Sequence, residues 1–533
     1  MAGDVVPPGG PPLLRGFLTV GGWTMLSRVL GLVRDQLLAA FLGAGPVQDA
    51  YQIAFRLPNM FRRLFGEGAL NAAFVPLFSA TLTAEGEEPA RRFASETLSV
   101  LLAWLTLIAV VGEIFMPLVL RVIAPGFSHE GARYAMAVTL SRITFPYLVL
   151  ICGAALVSGV LNGLHRFGVA AAAYVTFNVI GIAAIFLLTP LTGDVAQASA
   201  WGITASGVVQ FGLLLAATRR AGFRLTLVPP HLSARIRILI GRMAIGCLGS
   251  GITQINLMVD TMIGTLLPPG SVSLMYFADR VNQLPLGVLG AAAGTTLLPV
   301  LARHVTADDA DSAHATQNRA IEYALILTLP SALALVVLAE PIMATLFGHG
   351  AFTARDAALS AQSLRAYAVG LPAFVLVKVL SPGFFARGDT ATPVRIGMAT
   401  LLLNFGLNLA LMRPLAHMGP PLASSIAATV NVLLLVVLLA RRGALRVGGP
   451  TLSRVARMGV AAVGMVAVLA ALDMTPLGRL SIQPGPQRIA CLGLLVVAGM
   501  AAYGAGLQAL GVIDHRAVVA AVRARLARRR RPA

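Results

Sequence analysis

Apolar residues run along this chain in blocks of about twenty, separated by short polar links. A block of that length is what an α-helix needs to cross a hydrocarbon layer about 30 Å thick. The pattern predicts roughly fourteen such helices, over residues 15–43, 51–80, 95–121, 134–161, 169–190, 197–218, 236–267, 272–302, 320–347, 359–385, 394–413, 420–440, 454–473 and 488–511. The second is the least apolar, because "FRLPNMFRRLFGEGALNAAF" interrupts it with arginines, a proline and glycines.

A second pattern lies above the first. Phe127 and Phe352, Glu113 and Glu340, Pro146 and Pro372, and Asn178 and Asn404 are all pairs of like residues separated by 225 to 227 positions. A nearly constant offset predicts an internal repeat, and six helices per half give both halves the same orientation in a membrane. The expected fold class is therefore all-α and polytopic: about 14 transmembrane helices in two pseudo-symmetric six-helix lobes related by a parallel repeat, plus two C-terminal helices. In residues, this reads as a cytoplasmic segment 1–14, an N-lobe 15–221, a C-lobe with its preceding cytoplasmic link 222–442, a helix pair 443–513 and a basic cytoplasmic tail 514–533.

Composition agrees with a membrane protein. Of 533 residues 57% are hydrophobic and 12% charged, against about 25% charged in soluble domains. The opening "MAGDVVPPGGPPLL" lacks the charged and apolar regions of a cleavable signal, so the first helix is expected to remain. The net charge of +19 comes almost wholly from arginine, with Lys378 the sole lysine. Basic residues gather in particular links: Arg219, Arg220, Arg224, Arg235 and Arg237 in one, Arg441, Arg442, Arg446 and Arg454 in another, and the tail "RARLARRRRPA". The alternate links "LLPPGSVS" and "TPLTGDVAQAS" carry none. Both termini are therefore expected in the cytoplasm. The tail is expected to meet anionic membrane lipids rather than nucleic acid. Cys152, Cys247 and Cys491 sit in apolar blocks and are expected to be inert thiols. "DDAD" at 308–311 falls in a polar link and reads as a solvated loop.

Some charges stay inside the apolar blocks. The first helix carries Arg28, Arg34 and Asp35 in "SRVLGLVRDQLLAAFLGAG", and each charge at a bilayer centre costs roughly 2.5–3.5 kcal/mol. Asn59, Arg62, Arg63 and Glu67 form a polar stripe on the second helix; Thr253, Asn256 and Asp260 do so on the seventh, and Ser273, Tyr276, Arg280 and Gln283 on the eighth. One reading pairs these charges with each other, Arg34 with Asp35 or Asp49, Arg63 with Glu67, Arg280 with Asp279. Cations still exceed acids in the first two helices. An arginine excess beside amides and hydroxyls suits a phosphate or diphosphate, because guanidinium forks onto its oxygens. No GxxxxGK[ST] occurs, so a P-loop ATPase is excluded, and no histidine spacing suggests a metal.

Longer motifs carry a resemblance. "SRVLGLVRD", "DAYQIAFRLPNMFRRLFGEGALNAAFVPLF", "ITFPY", "APGF", "GSVSLMYFADRVNQLPLGVLG", "GTTLLP" and "VKVLSPGFFARGDTATPV" make the chain similar to the lipid II flippases (MurJ/MviN) of bacterial cell-wall synthesis, from about residue 20 to 515. The resemblance implies the multidrug/oligosaccharidyl-lipid/polysaccharide exporter fold, with two lobes around a central cavity and a lipid-facing groove beside the last two helices. It implies that lipid II, an undecaprenyl-diphosphate carrying a disaccharide-pentapeptide, is flipped across the bacterial inner membrane by alternating access. It implies no catalytic residue and no cofactor. The family's cavity arginines match Arg28, Arg34, Arg62 and Arg280; neighbouring cavity positions match Asn59, Ser273, Asp49 and Asp279. Gln283 stands where the family pattern has a glutamate, which leaves that position one charge more positive. An ion or the membrane potential is expected as energy source. A flippase for another polyprenyl-diphosphate glycan shares the same charge logic, and a cation antiporter of the superfamily would instead need acidic cavity residues.

Overall fold

Each apolar block holds one or two helices among the described residues. The computed structural model describes residues 11–63 and 70–513, with side chains described except at 11–20, 245–250, 252–253 and 288–296. Glu67, the side chains of Cys247 and Thr253, the segment 1–10 and the basic tail from 514 lie outside the described residues. Contacts divide the chain into two compact units, up to Ser273 and from Leu274. The first unit holds α1 (Pro11–Leu42), α2 (Pro46–Phe61), α3 (Leu70–Glu85), α4 (Glu87–Ile114), α5 (Met116–Ile123), α6 (Ala132–Thr144), α7 (Tyr147–Gly163), α8 (Phe167–Thr192), α9 (Val195–Arg220) and α10 (Ala234–Thr265). Helix α11 (Ser271–Thr306) begins at the boundary. The second unit continues with α12 (Ala310–Val337), α13 (Ala339–Phe347), α14 (Ala354–Phe385), α15 (Ala391–Leu415), α16 (Gly419–Arg441), α17 (Gly449–Asp473), α18 (Pro476–Ile482) and α19 (Gln487–Ala509).

The repeat is visible in the order of helices. Helix α4 is 28 residues long and is followed directly by the 8-residue α5. Helix α12 is also 28 residues and is followed by the 9-residue α13. Phe127 and Phe352, one from each half of the repeat, are both fully buried after these short helices. Asn178 and Asn404 are likewise buried in α8 and α15.

Among the described residues, nine helical stretches are long and apolar enough to cross a membrane by length and composition. Two of these comprise a pair of helices each: Ala132–Gly163 holds α6 and α7, and Ala391–Arg441 holds α15 and α16. Helix α2 passes into a π turn at 62–63, and the described residues resume at Leu70 in α3. The short helix α18 had no counterpart in the apolar pattern, which shows only a polar link there.

Local chemistry fixes the helix ends. Asp309 accepts from Ser312 N at 3.0 Å and so caps α12, which accounts for the acidic run at 308–311. Thr353 and Asp356 form a reciprocal capping box at the start of α14. In the first unit, Phe74 stacks on Phe78 and Phe93 at 5.5 and 5.6 Å between ring centres. In the second, Phe277 meets Phe347 and Phe352 at 4.9 and 5.3 Å. Helices α17 and α19 pack on each other and on α12, with Met458, Met465, Leu469, Leu495 and Tyr503 in that core. Their other faces leave Val463, Val497 and Met500 exposed, as surfaces meeting lipid do.

An extended segment places α10. Thr226 N donates to Ser95 Oγ at 3.2 Å and Val228 N to Ser99 Oγ at 2.9 Å. Two residues of strand span nearly the same rise as four of helix, so alternate amides of the segment meet successive turns of α4. Arg235 then donates to both oxygens of Glu85, at 2.7 and 2.6 Å. These contacts hold the start of α10 against the ends of α3 and α4, and α10 continues along α3, α4, α5 and α2.

Candidate functional site

Helix α2 carries most of the polar side chains in question. Pro46 opens it in the first turn, where a missing N–H costs nothing. Pro58 lies inside it, and the helix widens into a π turn at Arg62–Arg63; such turns interrupt regular helix where side chains are re-aimed. Asn59 accepts at Oδ1 from Arg62 Nε at 3.1 Å and from a terminal nitrogen of Arg62 at 2.9 Å. The two expected site residues are thus held together on one turn.

Facing them is α10. Arg56 donates to the Leu257 carbonyl at 2.9 Å. Arg56, Asn59, Arg63 and Gln254 line a narrow cleft between the two helices, flanked by Met60, Leu257 and Met258. Among the described residues that line it, none is acidic. Arg56 was not among the residues singled out in the sequence; only its register with Asn59 and Arg63, at three and seven residues, would have signalled it.

Helix α1 divides its charges. Arg28 is exposed and has no ion-pair partner among the described residues. Arg34, in contrast, is 5% exposed and Asp35 0%. Arg34 donates to Asp35 Oδ1 at 2.9 Å, and its guanidinium lies over the Phe177 ring at 4.9 Å. One of the charge pairs expected from the sequence therefore forms within a single helix.

Asp49 goes elsewhere. Its Oδ1 accepts from Ser273 N at 2.9 Å and from Ser273 Oγ at 2.6 Å, while Oδ2 accepts from Gly270 N at 2.7 Å. It thereby caps α11, whose first amides have no partner within their own helix. Arg133 of α6 stands 3.4 Å from Asp49, donates to the Thr265 carbonyl at 3.3 Å, and lies over the Phe127 ring at 3.8 Å. Gly270 has φ +93° and a Cβ there would come 2.8 Å from the Ala44 carbonyl, so the turn before α11 requires glycine. Asp49 and Ser273 are both buried, with these polar atoms engaged by one another. Arg133 was missed in the sequence, because its partner lies 84 positions away and no local spacing links the two.

In the second unit, Arg280 is half-buried and sits 5.9 Å from the Tyr276 ring. Gln283 Nε2 donates to Asp279 Oδ2 one turn away. An amide at 283 thus serves as a donor to Asp279, which a glutamate could not do while ionised.

Helical units built by an internal repeat, with guanidinium groups gathered on their membrane-embedded helices, define a polytopic transporter. The same fold occurs in a solved inward-facing multidrug resistance MATE family transporter of the MOP superfamily, with TM-score 0.66 and 17% identity, covering 78% of this chain and 95% of that one. A solved structure described as lipid II flippase MurJ, inward closed conformation, aligns with TM-score 0.77 and 24% identity over 94% of this chain and all of that one. In sequence, a probable lipid II flippase MurJ from Rhizobium meliloti (strain 1021) is 42% identical over 504 residues, 94% of each chain. The sequence model of the lipid II flippase MurJ family matches residues 38–480. The chain belongs to the lipid II flippase MurJ family.

Proposed function

We propose that the protein flips lipid II from the cytoplasmic to the periplasmic leaflet of the bacterial inner membrane by alternating access. The cleft between α2 and α10 is the observation that carries this reading: its described lining sets Arg56 and Arg63 beside two amides. A cleft of that character suits an anionic headgroup and not a cationic drug. Arg28, Arg62 and Arg280 are the further groups that take the diphosphate, with Asn59 orienting Arg62 and Asp279 restraining the neighbourhood of Arg280. Asp49 and Ser273 contribute by fixing the start of α11 rather than by touching the lipid, and Arg34 acts from within the first unit. The two six-helix lobes, 15–221 and 222–442, move relative to each other around the cargo, and both termini stay in the cytoplasm. The undecaprenyl tail remains in the bilayer against the helix pair 443–513. The membrane potential resets the cationic site, since a charge moved through the field gains up to about 2.3 kcal/mol per 100 mV.

The direct test is reconstitution with lipid II in vesicles whose potential is clamped. Protein-containing vesicles should expose internal lipid II to an added headgroup-modifying enzyme faster than empty ones. Equal rates would remove the proposal, and a rate indifferent to the potential would remove its energetic part alone.

A further inference from the structure

Behind Arg34 a small pocket lies between α1, α2, α8 and α9 of the first unit. Its walls are mostly apolar, and only three lining side chains are polar: Arg34, Tyr51 and Ser199. Ser199 is 4% exposed, and its hydroxyl has no hydrogen-bond partner in the protein. Buried hydroxyls are nearly always bonded, so one left over in a pocket marks a place where a small polar molecule belongs. Two to four polar groups around a space of molecular size are what a buried water requires.

The route of the Arg34 side chain brings its head to that place. Phe177, Gly181 and Ile185 form a single stripe on α8, four residues apart. A Cβ at Gly181 would stand 3.1 Å from Arg34 Cδ, so the missing side chain lets the arginine stem lie against the helix. The guanidinium then reaches the Phe177 ring, with the pocket beside it.

We propose that this pocket binds one ordered water molecule that links the Arg34 guanidinium to the Ser199 hydroxyl. The guanidinium donates to the water, and the water and the Ser199 hydroxyl share a second hydrogen bond. Ser199 is thereby a positioning residue: together with Gly181 it sets where the Arg34 charge sits without touching the transported lipid. The positioning role rests on the flippase reading above; the water site does not.

Both parts can be tested on the full-length protein. A structure resolved well enough to show ordered solvent should contain a peak within hydrogen-bonding distance of Ser199 Oγ and Arg34, and Ser199→Ala should lose it. A dry wild-type pocket, or a peak that survives the substitution, overturns the site. Lipid II binding should weaken by about five-fold in Ser199→Ala, the worth of one water-mediated hydrogen bond, with the thermal midpoint unchanged. Ser199→Thr, which keeps the hydroxyl, should restore the affinity. Unchanged affinity in Ser199→Ala after the peak has gone overturns the positioning role. If wild-type protein binds no lipid II while the peak behaves as expected, the flippase reading fails and the water site stands.

Discussion

Asp49 and Ser273 are joined by two hydrogen bonds across 224 positions of sequence, from the Ser273 amide at 2.9 Å and its hydroxyl at 2.6 Å to the same carboxylate oxygen. The carboxylate replaces the side-chain cap that α11 lacks locally, and it also neutralises the neighbouring Arg133. Removing it leaves the helix start uncapped and takes the counter-charge from Arg133. Asp49→Ala should therefore destabilise the protein by about 3–5 kcal/mol, as breaking one side of a buried pair does. Ser273→Ala removes one of the donors to the Asp49 carboxylate and should cost about 1–2 kcal/mol. Thermal unfolding in detergent measures both, and a smaller loss for Asp49→Ala than for Ser273→Ala would contradict this account.

Arg28 is exposed and makes no ion pair among the described residues, whereas Arg34 is tied to Asp35 and Phe177. Arg28→Ala and Arg280→Ala should abolish complementation of a strain depleted of its flippase while leaving the amount of protein in the membrane unchanged. Arg34→Ala should abolish it too, with a lower melting point, since it removes the Arg34 hydrogen bond from the buried Asp35 carboxylate. Lysine at any of the three should restore growth only partly, because the fork geometry is lost. Normal growth of one alanine variant at native expression would remove that residue from the site.

Much of this was legible in the chain. Every apolar block marked a helix, and the paired residues 225 to 227 apart identified a repeat that the 28-residue α4 and α12 make visible. Periodicity could also group Asn59 with Arg62 and Arg63, because residues three and four apart share a helix face. It could not show that α1 separates Arg28 from Arg34: exposure depends on which neighbouring helix covers each turn. Nor could it find Arg56, whose partner is a carbonyl on α10, or Arg133, whose partners come from α2 and the end of α10. Contacts between distant helices leave no spacing in the sequence.

The link between α14 and α15 should respond to strong acid. Asp389 accepts from Thr392 N at 2.9 Å and pairs with Arg442. The Thr392 hydroxyl first, and then the Arg442 guanidinium, hold its carboxyl well below the usual carboxylate range. The sign follows: a depressed folded pKa gives stability that is complete above the unfolded value near 4 and is lost as pH falls below it. Wild-type protein should lose thermal stability over that acid range more steeply than Asp389→Asn. Parallel curves for the two would show that the link contributes nothing to acid sensitivity.

A second pH response should appear nearer neutrality, at the loop between α13 and α14. Arg488, buried at the start of α19, donates to the Gly348 carbonyl at 3.0 Å and to Nε2 of His349. That second bond needs a lone pair on Nε2, so the ring is neutral with its proton on Nδ1. Burial chiefly, and the Arg488 charge next, push the His349 pKa below its ordinary value. The neutral ring's contribution is accordingly complete above the unfolded value near 6.5 and disappears as pH falls below it, when protonation sets an imidazolium against a guanidinium. Between pH 7 and 5 the wild-type melting point should fall, and hydrogen exchange at the start of α19 should quicken. His349→Asn keeps an acceptor for Arg488 but does not titrate, so its melting point should be flat over the same interval. An equal slope in both proteins would show that another group governs the response, since Asp389 titrates well below this range.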